Sequence, residues 1–373
     1  MSTFQVRTEL HHGAGSLSQL EELAGCRVLL VTDAFLASSP VLEEVTRHLM
    51  GCAITVFDGV QPNPSVAVVA EATRALVQAT PEVVLALGGG SSIDTAKAVL
   101  KVAREHDLTV PHGLWVIPTT SGSGSEVTSF AVITEPETHV KLPLVARDML
   151  PEVAILDAHL VLSAPQRITA DTGMDVCTHA IEAYLARSHS DFTDALAEKA
   201  IQLVCRWLPR CYRDGDDLVA RQHLHNASCL AGMAFENSGL GITHSLAHAI
   251  GGQFPVAHGR LNAILLPHTL AWNTASGIGA LSEPARRVAW LGHLVGVPAA
   301  SERARVTAFI TAVKTLTRQL EIGPRITDHG VDGGAYRAAV PHLAAAAIED
   351  GCTAANPVTP TVQDLEKILL KLL

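Results

Sequence analysis

A chain of 373 residues with 48% hydrophobic and only 17% charged side chains can build two domains, each with its own core, and falls outside the disordered class. A formal charge of −10, with lysines and arginines scattered rather than clustered, excludes nucleic acid as the main partner. No apolar run reaches the length of about 18 that a membrane helix needs, and the N-terminus lacks a charged-then-apolar signal layout, so no membrane partner and a cytoplasmic location are expected. Seven cysteines, an odd number without CxxC spacing, suit reduced thiols rather than disulfides or a zinc-thiolate site.

In chain order, the first half alternates strands and helices. Strands are expected at Arg27–Thr32, Ala53–Phe57, Val83–Leu87 and Leu114–Ile117, with helices at Val41–Met50, Val66–Ala79 and Ser91–Ala103 between them. Continuous apolar strands alternating with helices predict a parallel sheet covered on both faces. Phe130–Thr134 and Lys141–Leu144 read as a β-hairpin before a last strand at Val153–Leu156. Near Pro165 the pattern becomes almost wholly helical, with loops around Arg213–Asp217 and Gly323–Asp328. The fold class is therefore α/β plus all-α, with a parallel-sheet domain over 1–163 and an all-helical domain over 164–373.

Two glycine-rich loops end consecutive strands. Gly88-Gly89-Gly90-Ser91-Ser92 precedes the helix that carries Asp94 and Lys97, and Pro118-Thr119-Thr120-Ser121-Gly122-Ser123-Gly124 follows the next strand. Glycines allow backbone to approach phosphate oxygens, and a helix N-terminus offers unpaired N–H groups and a favourable dipole. Neither loop is GxGxxG or a P-loop, and a glycine triplet alone also fits a tight turn. Loops at neighbouring strand ends line the crevice where open α/β sheets bind ligands. Asp33, ending the first strand, would accept hydrogen bonds from an adenosine ribose and repel a 2′-phosphate, favouring NAD(H); its other reading is a helix N-cap.

Asp175 and His179 are spaced i, i+4 in TGMDVCTHAIEAY, and His244 and His248 repeat that spacing in THSLAHAIGGQFPVAHGRLNAILLPH, ahead of His258 and His268. Such pairs project from one helix face. A carboxylate and several imidazoles suit a first-row transition metal, Fe2+ or Zn2+. Cys177 points to another face and reads as core packing. LLPH places His268 at a helix end, in a structural role, and His223 and His225 read as surface or packing residues.

Five motifs in order, VTD (Val31–Asp33), GGGSSIDTAK (Gly88–Lys97), PTTSGSGSEVTS (Pro118–Ser129), TGMDVCTHAIEAY (Thr172–Tyr184) and the histidine segment His244–His268, resemble the iron-containing (group III) alcohol dehydrogenase family over nearly the whole chain. The phrases KLPL (Lys141–Leu144), SDFTDALAEKA (Ser190–Ala200) and HNASCLAGMAF (His225–Phe235) resemble its propanol dehydrogenase subgroup from propanediol-utilising bacterial microcompartments.

The resemblance implies a Rossmann-like NAD(H)-binding domain and a helical metal-binding catalytic domain. It maps the metal ligands onto Asp175, His179, His244 and His258. His248 falls at a catalytic position for proton transfer, Phe235 at a substrate-pocket aromatic, and Lys141 near a cofactor-contacting lysine. Cofactor contacts are expected from Asp33, Gly88, Gly89, Gly90, Ser91, Asp94, Thr119, Thr120 and Lys141. Ala257 and Ser123 depart from a usual proline and threonine.

The resemblance further implies NAD(H)- and iron-dependent interconversion of short primary alcohols and aldehydes, propionaldehyde to 1-propanol first among them, in a homodimer or larger homo-oligomer associated with a microcompartment shell or co-encapsulated enzymes. The alternatives are another small substrate (lactaldehyde, phosphonoacetaldehyde or 1,3-propanediol) and a zinc-dependent lyase of related, dehydroquinate synthase-like fold. The apolar stripe of Val362–Leu373 fits either a closing helix of the domain or a shell-targeting helix.

Overall fold

The structure is a computed structural model that describes residues 3–135, 137, 141–275 and 279–373. The chain divides into two compact units, Gln5–Ala164 and Pro165–Leu373, the latter joined by the N-terminal residues through Phe4.

The first unit is built on six parallel strands: β1 (Glu9–His12), β2 (Arg27–Asp33), β3 (Ala53–Val60), β4 (Val83–Gly88), β5 (Leu114–Pro118) and β8 (Val153–Leu156). They lie in the order β3-β2-β4-β5-β8-β1. A separate antiparallel hairpin joins β6 (Phe130–Thr134) to β7 (Lys141–Val145), as the alternation predicts; its connecting loop lies partly outside the described residues. Every residue of β4 is buried, because it lies at the centre of the sheet with both faces covered. One face packs on α3 (Val66–Ala79) and α4 (Gly90–Glu105). The other packs on the 3₁₀ turn Ser16–Leu23 and on Val45 and Leu49 at α2 (Pro40–Arg47), which follows the short α1 (Ala34–Ala37). Each of these buried Val and Leu side chains contributes about 1.5–3 kcal/mol.

Strand β1 is absent from the sequence reading. ELHH has no apolar run, and an edge strand, here pairing Glu9 with Val153, needs none. Counted from β2, the strands run 2-1-3-4-5, a flavodoxin-like doubly wound order rather than the 3-2-1-4-5-6 dinucleotide order. The chain reverses direction across the sheet between β2 and β4. The carboxyl ends of those two strands are Asp33 and Gly88.

The second unit is helical: α5 (Gln166–Leu185), α6 (Asp191–Arg213), α7 (Leu218–Ser238), α8 (Ile242–Gln253), α9 (His258–Asn273), α10 (Glu283–Leu294), α11 (Glu302–Gln319), α12 (Gly333–Glu349) and α13 (Val362–Leu370). Helix α5 is buried on nearly every side from Thr169 onward, so each polar residue on it must find a partner inside the protein. Helix α9 runs through Pro267, which corrects the expectation for LLPH: His268 lies within the helix, not at its end. Leu365, Ile368 and Leu369 of α13 are buried, the arrangement of a closing helix. No helix among the described residues is long and apolar enough to cross a membrane.

Candidate metal centre and nucleotide loops

Asp171, Asp175, His179 and Glu182 occupy one stripe of α5, spaced by four, four and three residues. His244 sits in the first turn of α8, and His258 is the first residue of α9. Ligand-capable atoms of Asp175, His244 and His258 all lie within 4.8 Å of one another. Asp175 Oδ1 is 3.7 Å from His244 Nε2 and 3.6 Å from His258 Nε2. His179 borders the trio with its ring stacked on His244, centroids 4.6 Å apart, and Phe235 of α7 lies against its other neighbourhood at 4.5 Å.

Helix α9 reaches α5 because residue 259 is glycine. A Cβ there would stand 2.2 Å from the Asp171 carbonyl oxygen. Next to it, Arg260 Nε donates to Asp171 Oδ1 at 2.7 Å, with both side chains largely buried. Ala257, the N-cap, has φ −59°, a value proline also takes, so the departure from proline leaves the backbone path intact.

The donor set fits a divalent cation. Asn262, one turn after His258, donates from Nδ2 to Asp175 Oδ1 at 2.6 Å and lies 3.1 Å from both His244 Nε2 and His258 Nε2. An amide has two hydrogens, yet three side-chain atoms converge on Nδ2, while its own Oδ1 is buried without a hydrogen-bond partner. Burial alone would push the Asp175 carboxyl up, but the charges of His179 and His258 and the hydrogen bond to His244 hold it well below the usual carboxylate range. Burial likewise works against the Glu182 carboxylate, and its hydrogen bonds from His244 and Thr243 bring it below the ordinary value. Burial also opposes charge on His244, yet its contacts with Asp175 and Glu182 raise it to about 9. Two buried carboxylates thus hold positive charge between them. One carboxylate and three imidazoles match Fe2+ or Zn2+ chemistry.

His248, one turn beyond His244, stands apart from this set. Its ring stacks on His258 at 5.3 Å between centroids, and its Nδ1 is 2.9 Å from Asp350 Oδ2. Asp350 is fixed in turn: its Oδ1 accepts from Ser245 Oγ at 3.1 Å and from the Cys352 N–H at 2.8 Å. Burial favours the neutral Asp350 acid, but the His248 hydrogen bond holds the carboxyl well below its usual value. His225 is buried inside α7 rather than at the surface, and His223 stacks on Trp207.

In the first unit, Gly89 is the N-cap of α4 and no side chain caps that helix, so its first N–H groups face the loop. The glycines also let the two loops meet. A Cβ on Gly89 would stand 3.2 Å from Thr120 Oγ1, and one on Gly90 3.1 Å from Ser123 Cβ. Gly88, at φ +150°, presses on Ser92, and the Thr119 N–H bonds its carbonyl at 3.0 Å. Ser91 opens the first turn of α4 beside them.

Asp94 spends both oxygens within the unit, accepting from Ser125 Oγ at 2.7 Å and Val132 N–H at 3.0 Å. It ties the first loop to the second and to the hairpin. Lys141 Nζ donates to Asn63 Oδ1, and burial lowers its basicity, with the Asp94 charge opposing that shift. Asp33 N-caps α1, its Oδ1 accepting from Leu36 N–H at 2.9 Å, while it also ends β2.

Sequence reasoning missed Glu182, Asn262, Asp171, Arg260 and Asp350. The first three had a signal, since each is a helical turn or two from a named ligand. Asp350, 102 positions from His248, had none.

Comparison with known proteins places these features. The iron-containing alcohol dehydrogenase profile matches residues 7–158, and the C-terminal profile of the Fe-containing alcohol dehydrogenase family matches residues 169–373. The chain is 40% identical to the 1-propanol dehydrogenase PduQ of Citrobacter freundii, covering 100% of both chains. It superposes on a crystal structure of 1,3-propanediol oxidoreductase with a TM-score of 0.92 at 31% identity, again over 100% of both. A sulfoacetaldehyde reductase from Bifidobacterium kashiwanohense, solved in complex with NAD+, gives a TM-score of 0.86 at 25% identity, over 100% of this chain and 98% of that one.

Proposed function

The chain belongs to the iron-containing alcohol dehydrogenase family, and we propose that within it the protein interconverts short primary alcohols and aldehydes with NAD(H), reducing propionaldehyde to 1-propanol. The observation that carries this reading is the convergence of Asp175, His244 and His258 from three helices, with His179 beside them. Asp175, His179, His244 and His258 would hold one divalent iron. Such a metal supplies Lewis acidity to a carbonyl or alcohol oxygen, and the nicotinamide supplies or accepts hydride.

The protein's own residues do the rest. Glycine loops 88–90 and 119–120 and the N-terminus of α4 bind the dinucleotide phosphates, and Asp33 at the end of β2 receives the ribose hydroxyls. Lys141 serves as a cofactor contact, and Asp94 holds the two loops in register. Phe235 gives the substrate an apolar wall against His179. His248 moves the proton: with Nδ1 engaged by Asp350, Nε2 is the nitrogen left to exchange a proton with the substrate oxygen.

The 1,3-propanediol oxidoreductase likeness keeps a small diol as the second reading. We also propose work in association with a microcompartment, as a homodimer or larger assembly, on the subgroup resemblance of Ser190–Ala200 and His225–Phe235.

The test is NADH oxidation by anaerobically purified, iron-loaded protein given propionaldehyde, with NADPH and metal-stripped protein alongside. Iron-dependent turnover preferring NADH is expected. Metal-loaded protein inert toward propionaldehyde and other short aldehydes would overturn the reading, and aldehyde- or alcohol-independent chemistry without net NADH consumption would favour the lyase.

A further inference from the structure

Helix α8 begins without a side-chain cap of its own: its N-cap is Gly241. Its first N–H groups are nonetheless satisfied from outside the helix: Ile242 N–H donates to Asn356 Oδ1 at 3.3 Å, and its neighbours donate to one carboxylate of α5. Glu182 Oε2 accepts from Gly241 N–H at 3.0 Å and from His244 N–H at 3.4 Å, and Oε1 accepts from Thr243 N–H at 2.7 Å. The same Oε2 lies 2.6 Å from His244 Nδ1. Glu182 is buried, and a Cβ on Gly241 would come within 2.8 Å of its Oε1, so the glycine is what lets the carboxylate reach the start of α8. A carboxylate with its proton lost can only accept. It therefore requires the hydrogen on Nδ1, and Nε2, the nitrogen that faces Asp175 and His258, is the one a metal would take in place of a proton.

We propose that Glu182 is the positioning residue of the metal centre: it fixes the start of α8 against α5 and selects the Nδ1–H tautomer of His244, so that Nε2 is delivered as a ligand. The proposal rests on the reading of Asp175, His179, His244 and His258 as a metal site. Outer carboxylates of this kind hold ligand imidazoles in register, and their loss weakens metal binding by about 10- to 100-fold.

Glu182→Gln is the discriminating variant. Its amide can still accept from the α8 N–H groups through one oxygen, but it sets an N–H donor against Nδ1 or forfeits the backbone bonds. Zinc dissociation constants, measured by chelator competition on the full chain, should rise about 10- to 100-fold for Glu182→Gln, with NADH affinity unchanged. Glu182→Asp, which keeps the acceptor, should recover part of the affinity.

An independent readout is nitrogen NMR of the zinc-loaded wild type, which should show His244 protonated at Nδ1; this holds even if the variants fold poorly. Wild-type binding with an unchanged Glu182→Gln constant, or a His244 without a proton on Nδ1, overturns the proposal and leaves the metal centre standing. A wild type that binds no metal overturns both.

Discussion

His244 and His248 share a helix face and differ in what lies behind them. Behind His244 stand Asp175 and Glu182, a pair of buried carboxylates. Behind His248 stands Asp350, and its ring is about a third exposed where that of His244 is 2% exposed. On these environments we propose a ligand role for the first and a proton-carrying role for the second. Replacing His244 with alanine should abolish stoichiometric metal binding. Replacing His248 should leave metal content intact and lower aldehyde reduction by about 10²- to 10⁴-fold, the usual worth of a positioned acid. Metal loss confined to the His248 variant would reverse the assignment.

His225 makes a different residue-scale statement. Burial lowers it to about 4, so between that value and the free histidine value near 6.5 the unfolded chain binds a proton that the folded chain does not. Stability from this group is therefore complete above about pH 6.5 and is lost as pH falls toward 4. A His225→Gln variant should show a shallower decline in unfolding free energy over that window, by ~1.4 kcal/mol per pH unit at most. Equal slopes in the two proteins would refute the assignment.

Among the elements, we propose that β2 and β4 decide where a dinucleotide sits, because the chain reverses between them and their carboxyl ends hold Asp33 and the glycine triplet. Asp33 N-caps α1 and also ends the strand at the reversal point, where we propose that it meets the ribose. Serine at this position separates the two, since it still caps a helix but carries no charge. Asp33→Ser should raise the ratio of NADPH to NADH kcat/KM by about tenfold or more without a change in thermal stability. An unchanged ratio would leave only the capping role.

The central strands and α3 were legible because continuous apolar runs bounded by glycine and proline have few other uses. Edge strand β1 was not, because Glu9–His12 is held by backbone pairing rather than burial. The ligand stripe of α5 was legible from its i, i+4 spacing. Its continuation to Glu182 was readable but unread, and the link from His248 to Asp350 joins distant helices that no local pattern connects.

At the scale of the molecule, α5 and the consecutive helices α8 and α9 bring polar residues to one point inside a largely apolar bundle. That arrangement is hard to maintain unless something compensates the buried charge. Gly259 allows the approach of α9 to α5, Arg260 and Asp171 clamp it, Glu182 secures α8, and Asn262 bridges the convergent donors. We propose that these contacts serve a cation held in common. Anomalous diffraction at the iron absorption edge, from crystals of anaerobically iron-loaded protein, asks the question directly. One peak per chain is predicted, within about 2.0–2.3 Å of an Asp175 carboxylate oxygen and of imidazole nitrogens of His179, His244 and His258, with His248 outside that distance. A peak bound through His248 in place of His244, or no peak at this cluster in protein that carries iron, would contradict the account.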